Sequence, residues 1–195
     1  MTKRDAIIFD CDEVLLGWIS GFIEYHNTTY HTSVKGVCNY VFNRELGIST
    51  STLQKRIDIF NTFWKFGALK PIPTAIESIN LLSKKQPSIA KIVITRCGKS
   101  DGTQQLRLLN LFNVFGITFT DVIFLRPDES KYASITKIKK SFNVIGFIDD
   151  CKDNIDVGEE LNINSFLLRT PYNQFENSTN VVSTVKEFVD TIINI

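Results

Sequence analysis

Little in this chain is present in excess, and what it lacks narrows the field first. No charge of one sign dominates: 22 Lys and Arg stand against 21 Asp and Glu, a formal net charge of +1. Composition therefore gives no reason to expect nucleic acid or an anionic membrane as partner. No apolar run approaches the ~20 residues of a membrane span. The opening Met1-Thr2-Lys3-Arg4-Asp5 meets an acid at once, and the apolar stretch behind it covers only residues 6–9. That is too short for a secretory signal. The four cysteines, Cys11, Cys38, Cys97 and Cys151, form no CxxC pair and have no nearby His partner. Free thiols in a reducing cytoplasm are the expectation, not a disulfide scaffold. There is no internal repeat and no low-complexity segment.

What remains is an ordinary globular composition, 43% apolar and 22% charged. At 195 residues and ~150 per domain, one domain with a sizeable insertion is expected. Short apolar runs at 6–9, 89–95, 119–125, 143–148 and 163–168 are rich in Ile, Val and Phe, as strands covered on both faces are. Helical spacing lies between them. Ile72, Ala75, Ile76, Ile79 and Leu82 recur with Thr74 and Glu77 placed as a capping box. Leu108, Leu111, Phe112 and Phe115 repeat the spacing. Ser130 precedes a helix bearing Ile135, Ile138 and Phe142, and Asp153 one bearing Ile155 and Leu161. A last helix carries Val182, Val185, Val189 and Ile192. Strand alternating with helix predicts a Rossmann-like, doubly wound parallel α/β sheet of about five strands.

The rhythm breaks after the first strand. Residues 17–70 show no strand pattern. Leu15, Trp18, Ile19 and Phe22 keep helical spacing, as do Val37, Tyr40 and Val41, then Leu53, Ile57, Phe60 and Trp64 with Ser51 and Gln54 as a second capping box. This predicts a small α-helical cap over residues 17–70, inserted into an α/β core made of 1–16 and 71–195. Trp18, Phe22, Phe60, Phe63 and Trp64 read as its core, and His26 and His31 as packed or surface residues.

Ligands of open α/β sheets bind beyond the carboxyl ends of the strands. Those ends read Asp10-Cys11-Asp12, Thr95-Arg96-Cys97-Gly98 and Asp149-Asp150, with Lys131 at the start of the helix leading into the fourth strand. Clustered carboxylates repel unless a cation sits among them. Oxygen-only ligands with open positions suit Mg²⁺ and a phosphate co-ligand, with Asp10 and Asp149 as the natural pair. Asp10 and Asp12, two residues apart, can serve one reaction as nucleophile and as general acid and base. The Thr95 hydroxyl and the amides around Cys11, Asp12 and Arg96 suit phosphoryl oxygens, and Lys131 offsets the gathered charge.

The segment Ile7-Ile8-Phe9-Asp10-Cys11-Asp12-Glu13-Val14-Leu15 resembles the first motif of the haloacid dehalogenase (HAD) superfamily. Ile92-Val93-Ile94-Thr95 resembles its second motif, Lys131 its third, and Phe147-Ile148-Asp149-Asp150 its fourth. The resemblance spans residues 6–170 and places the insert where the family carries its C1 cap. It implies a Mg²⁺-dependent phosphomonoester hydrolase acting on a small phosphorylated metabolite. Asp10 would form an aspartyl-phosphate. Asp12 would protonate the leaving oxygen and then activate water. Mg²⁺ would be held by Asp10, Asp149 and the Asp12 carbonyl, with Asp150 helping. The dehalogenating branch lacks the second acid of the first motif, so Asp12 points to phosphoryl chemistry.

The sequence departs from the family pattern at Glu13, where Gly is frequent, and at Arg96, where a small or amide residue is. Glu13 is expected to face the cap and bias substrate choice, and Arg96 to clamp a second phosphate or pair with Glu13. The run from Asp12 to Trp18, followed by Phe22 and Tyr25, resembles the deoxyribonucleotidase-like branch and suggests a nucleotide stacked on Trp18. The alternatives are a non-catalytic HAD-like binding or regulatory protein and a nucleic-acid end phosphatase. A receiver-type phospho-acceptor is disfavoured, because the third strand ends at Leu125-Arg126-Pro127 without an acceptor Asp.

Overall fold

In the computed structural model, which describes residues 2–39, 41–98 and 100–194, strand β1 (Arg4–Asp10) lies near the middle of a six-stranded, all-parallel sheet. β2 (Ala90–Thr95) and β3 (Asp121–Phe124) lie on one side of it. β4 (Phe142–Asp149), β5 (Ser165–Leu168) and β6 (Val181–Val182) lie on the other. The five expected strands are present, and the sixth is a two-residue edge.

Alternation along β1 explains why both faces must be covered. Ile7 and Phe9 join the cluster under α3 (Ala75–Lys85), α4 (Asp101–Phe115) and α7 (Val185–Ile193), whereas Ala6 and Ile8 join the cluster under α5 (Tyr132–Ser141) and α6 (Lys152–Glu160). All four are fully buried. The Ile7, Ile8 and Phe9 side chains each contribute roughly 1.5–3 kcal/mol on leaving water.

Several local expectations are corrected. Val182 belongs to β6 and Phe142 opens β4, so neither lies on its expected helix. Thr74 precedes α3 in a left-handed conformation (φ 69°) and makes no side-chain cap. The buried face of α4 runs through Thr103, Arg107, Asn110, Leu111 and Phe115, leaving Leu108 and Phe112 exposed. Lys131 and Cys151 occupy the positions directly preceding α5 and α6; Ser130, one residue earlier, still accepts from Tyr132 N–H at 3.2 Å, whereas Asp153 lies inside the first turn of α6.

Between β1 and α3 the chain makes α1 (Trp18–Tyr30), α2 (Thr50–Thr62) and a short 3₁₀ turn, Trp64–Ala68. It leaves and returns side by side. Gly17 N–H donates to the Lys70 carbonyl at 2.9 Å and Ile72 N–H to the Leu15 carbonyl at 3.0 Å. Leu16 and Pro71 form an antiparallel bridge between these bonds. The expected helix through Val37 and Val41 is absent; Tyr40 lies outside the described residues. α2 is capped by Ser49, whose hydroxyl accepts from Thr52 N–H, and not by Ser51. Phe22 and Phe60 are buried and Trp18 packs flat on Phe22 at 5.2 Å, but Phe63 and Trp64 are exposed. His26 is buried and His31 exposed.

Candidate active site

β1 and β4 are adjacent in the sheet but far apart in sequence, so their carboxyl ends bring Asp10 together with Asp149 and Asp150. Carboxylate oxygens of these three buried residues lie within 4.8 Å of one another. Lys131, fully buried at the start of α5, donates to Asp10 Oδ1 and, at 2.7 Å, to Asp149 Oδ2. The other Asp149 oxygen accepts from Cys151 N–H and from the Asn154 amide, both at 2.9 Å. Asp150 accepts from the Tyr172 hydroxyl, while the Asn173 amide holds the Asp150 carbonyl at 2.8 Å.

Charge in this triad does not balance. Burial pulls Lys131 toward neutrality, but the Asp10 and Asp149 carboxylates outweigh it and raise its pKa above the ordinary value. Burial pushes the Asp10 carboxyl up to about 7; Lys131 opposes this and Asp149 adds to it. Burial, then Asp149 and Asp10, push Asp150 well above the carboxylate range. Fully ionised, the three carboxylates would leave two negative charges over the Lys131 ammonium, an excess that protons take up in part when no cation is bound. The donor set is oxygen only. Both features fit a hard divalent cation held by Asp10, Asp149 and Asp150.

Asp12 stands apart from that cluster. Its Oδ1 accepts from Arg107 at 2.5 Å. Arg107 is fully buried on α4, with its guanidinium 4.2 Å above the Phe66 ring. Burial works against the charge on Arg107, but Asp12 and the nearby Cys11 and Cys97 hold its pKa above normal. The Thr95 hydroxyl at the end of β2 is fully buried and, apart from the neighbouring Cys97 thiol, has no hydrogen-bond partner among the described residues. A buried hydroxyl with so little to bond suits a phosphoryl oxygen.

A cavity of about 490 Å³ opens above these groups, lined on one side by Asp10, Asp12, Arg96, Asp149 and Asp150 and on the other by the insertion. Trp18 lines it, with its indole N–H donating to Asn61 Oδ1 at 3.0 Å. Glu13 (φ 61°) also lines it, but its carboxylate turns to the first turn of α1 and accepts from Ile19 N–H at 2.6 Å. Burial pushes that carboxyl up to about 7, against the bond from Ile19. Arg96 donates to Asn154, not to Glu13. Cys11 is buried in the core, where its carbonyl accepts from Leu15 and Leu16 N–H groups, both at 2.9 Å. Its side chain does not line the cavity. The structure thus gathers Asp10, Asp12, Thr95, Lys131, Asp149 and Asp150 at one sheet edge. It adds Arg107, Asn154 and Tyr172, for which the sequence offered no motif. All four cysteines are free thiols.

An all-parallel sheet with acids at the tips of β1 and β4 and a helical insertion after β1 defines the HAD-like α/β fold. A HAD-like family hydrolase of Streptococcus pneumoniae superposes with a TM-score of 0.66 at 13% identity, covering 97% of this chain and 98% of that one. The candidate HAD hydrolase YfnB of Bacillus subtilis, in a structure bound to magnesium, gives 0.62 at 13% identity over 100% of both chains. In sequence, an uncharacterized 32.4 kDa protein of Enterobacteria phage T4, from the Gp30–rIII intergenic region, is 28% identical over 170 residues. The alignment takes in 81% of this chain and 58% of that protein, so the chain spans little more than half the length of this relative. No protein-family model matches the chain.

Proposed function

We propose that this protein is a Mg²⁺-dependent phosphomonoester hydrolase acting on a small phosphorylated metabolite through an aspartyl-phosphate. The observation that carries this reading is the buried Asp10, Asp149 and Asp150 triad with the Lys131 ammonium among them, facing a cavity that also holds Asp12. Mg²⁺, held by Asp10, Asp149 and Asp150, would supply Lewis-acid stabilisation of charge on the phosphoryl oxygens.

The chain's own groups then divide the work. An Asp10 carboxylate oxygen attacks phosphorus and the ester oxygen departs. Asp12, with Oδ1 held by Arg107, gives that oxygen a proton through Oδ2. Asp12 next takes a proton from the water that cleaves the Asp10–phosphorus bond, which releases phosphate and restores both acids. Thr95 O–H and Lys131 stabilise the phosphoryl oxygens and the position of Asp10. Residues 17–70 serve as a cap that closes the cavity and limits the substrate to small esters, nucleotides among them through Trp18. The free thiols fit a reducing cytoplasm. Among the described residues no helix is long and apolar enough to cross a membrane.

The test is hydrolysis of p-nitrophenyl phosphate with Mg²⁺. The wild type is expected to turn it over, and Asp10→Asn to lower kcat by at least about 10³-fold, since loss of a covalent nucleophile removes the whole pathway. Wild-type rates in Asp10→Asn overturn the reading.

A further inference from the structure

The ceiling of the cavity carries information that the acids on its floor do not. Gln54, Ile57, Asp58 and Asn61 recur at helical spacing on α2 and all line the cavity opposite the triad. Three of these side chains are fixed by partners. The Trp18 indole N–H is a donor only, so the Asn61 atom facing it must be the carbonyl oxygen. That leaves the Asn61 NH₂ as a donor without a partner among the described residues. Gln54 Nε2 donates to Asp58 Oδ1 at 2.9 Å. This leaves Gln54 Oε1 and Asp58 Oδ2 as acceptors.

Charge sorts the cavity in the same way. Among its described lining residues Arg96 is the one cation. Arg96 sits on the floor, bonded to Asn154, which is bonded in turn to Asp149. It therefore belongs with the floor of the cavity. A second anionic group reaching α2 would meet the Asp58 carboxylate instead. The apolar lining, Trp18, Ile19, Phe42 and Ile57, leaves room for a flat or weakly polar moiety beside the amides.

We propose that the α2 face reads the leaving group, and that the substrate is the phosphomonoester of a neutral alcohol of nucleoside size bearing hydrogen-bond donors and acceptors. Bisphosphates and phosphorylated acids are rejected. This rests on the phosphohydrolase reading above and names the substrate class of that same site. Asp58 and Gln54 are exposed on α2, and Asn61→Asp keeps the acceptor that Trp18 needs. Substitutions here therefore leave the fold standing.

The experiment measures kcat/KM with Mg²⁺ on nucleoside 5′- and 3′-monophosphates, glucose 6-phosphate, fructose 1,6-bisphosphate and phosphoglycolate. The wild type is expected to favour the neutral-alcohol esters by at least about tenfold, the value of one well-placed charge or hydrogen bond. Asp58→Lys is expected to shift the ratio of bisphosphate to nucleotide by about tenfold or more toward the bisphosphate. Asn61→Asp is expected to raise KM for the favoured ester about tenfold with a smaller change in kcat. A wild type that prefers bisphosphate or phosphoglycolate, or variants that scale every substrate by one factor, overturn this proposal alone. A wild type that hydrolyses none of these esters, nor p-nitrophenyl phosphate, overturns the phosphohydrolase reading and this proposal with it.

Discussion

Arg107 is the residue that most changes the picture drawn from the acids alone. A buried guanidinium on α4 holds one oxygen of Asp12, while it also bonds the Cys97 thiol and its face rests on Phe66. Breaking a buried pair by removing one partner costs about 3–5 kcal/mol, but Asp12 is partly exposed and water screens it, so about 1–3 kcal/mol is expected for Arg107→Met. The catalytic effect should depend on the leaving group. An alkyl phosphate needs Asp12 as its proton donor, and p-nitrophenyl phosphate scarcely does. Arg107→Met and Arg107→Lys should lower kcat on the alkyl ester by about 10²-fold and on the aryl ester by much less, with the lysine variant the milder of the two. Equal losses on both esters would reduce Arg107 to a packing role.

The acids were legible because each follows a buried strand, where an apolar run stopping at Asp marks the edge of the sheet. Arg107 was not, because the apolar repeat of α4 takes in Leu108 and Phe112, which are 44% and 55% exposed, along with the buried Leu111 and Phe115. Only the last two mark the inner face, on which Arg107 lies four residues before Leu111. Asn154 and Tyr172 gave no signal, since an amide in a first helical turn and a Tyr in a loop are commonplace until Asp149 and Asp150 are seen beside them.

At the scale of elements, the insertion is joined to the core by the paired crossing and by Asn110 of α4, whose amide accepts from Leu69 N–H and donates to the Leu69 carbonyl, and its two helices are joined to each other partly through His26. Arg56 of α2 donates to His26 Nε2 at 2.5 Å, so the ring proton sits on Nδ1, 3.0 Å from the Thr32 hydroxyl, which itself donates to Asn27. The Tyr30 ring lies 5.1 Å from His26 and 3.6 Å beneath the Arg56 guanidinium. A second ring proton would have to form between Nε2 and a guanidinium. Burial first, and Arg56 second, accordingly lower the His26 pKa.

A lowered histidine pKa means that the unfolded chain binds the proton more readily than the native one. Stability therefore falls as pH drops below the unfolded value of about 6.5, and the loss levels off below the native value. Between pH 7.5 and 5.5 the wild type should lose about 2–4 °C more in Tm than His26→Gln, as roughly 1 kcal/mol shifts Tm in a chain of this size. Parallel Tm curves for the two proteins would remove His26 from this role. The helices on either side were legible from their periodicity. The non-helical chain between them was not, because Val37 and Val41 mimic a helical repeat while their surroundings pack as irregular loop.

Across the whole molecule, the fold was legible in outline because strands buried on both faces write continuous Ile, Val and Phe runs. β6 was missed because two residues at an edge make no pattern. The same architecture sets the last prediction. The sheet brings β1 and β4 together and so concentrates acids at one end, two charges in excess of Lys131. Mg²⁺ that binds the native triad and not the unfolded chain adds RT ln(1 + [Mg²⁺]/Kd), about 2.7 kcal/mol at a hundredfold excess over Kd. In a chain of this length that raises Tm by about 5–10 °C. The direction with pH follows from Asp10. Its carboxyl is pushed up to about 7 in the cation-free protein. The stability this group lends is thus full below its unfolded value of about 3.9 and is lost as pH rises through about 7. Protons and Mg²⁺ compete for that oxygen, so the Mg²⁺-induced rise in Tm should be larger at pH 8 than at pH 6. EDTA should reverse it, and Asp149→Asn should abolish most of it. Thermal unfolding followed by intrinsic fluorescence, with and without Mg²⁺ at both pH values, checks all of these, and a Tm that ignores Mg²⁺ throughout would leave the triad's excess charge without its cation.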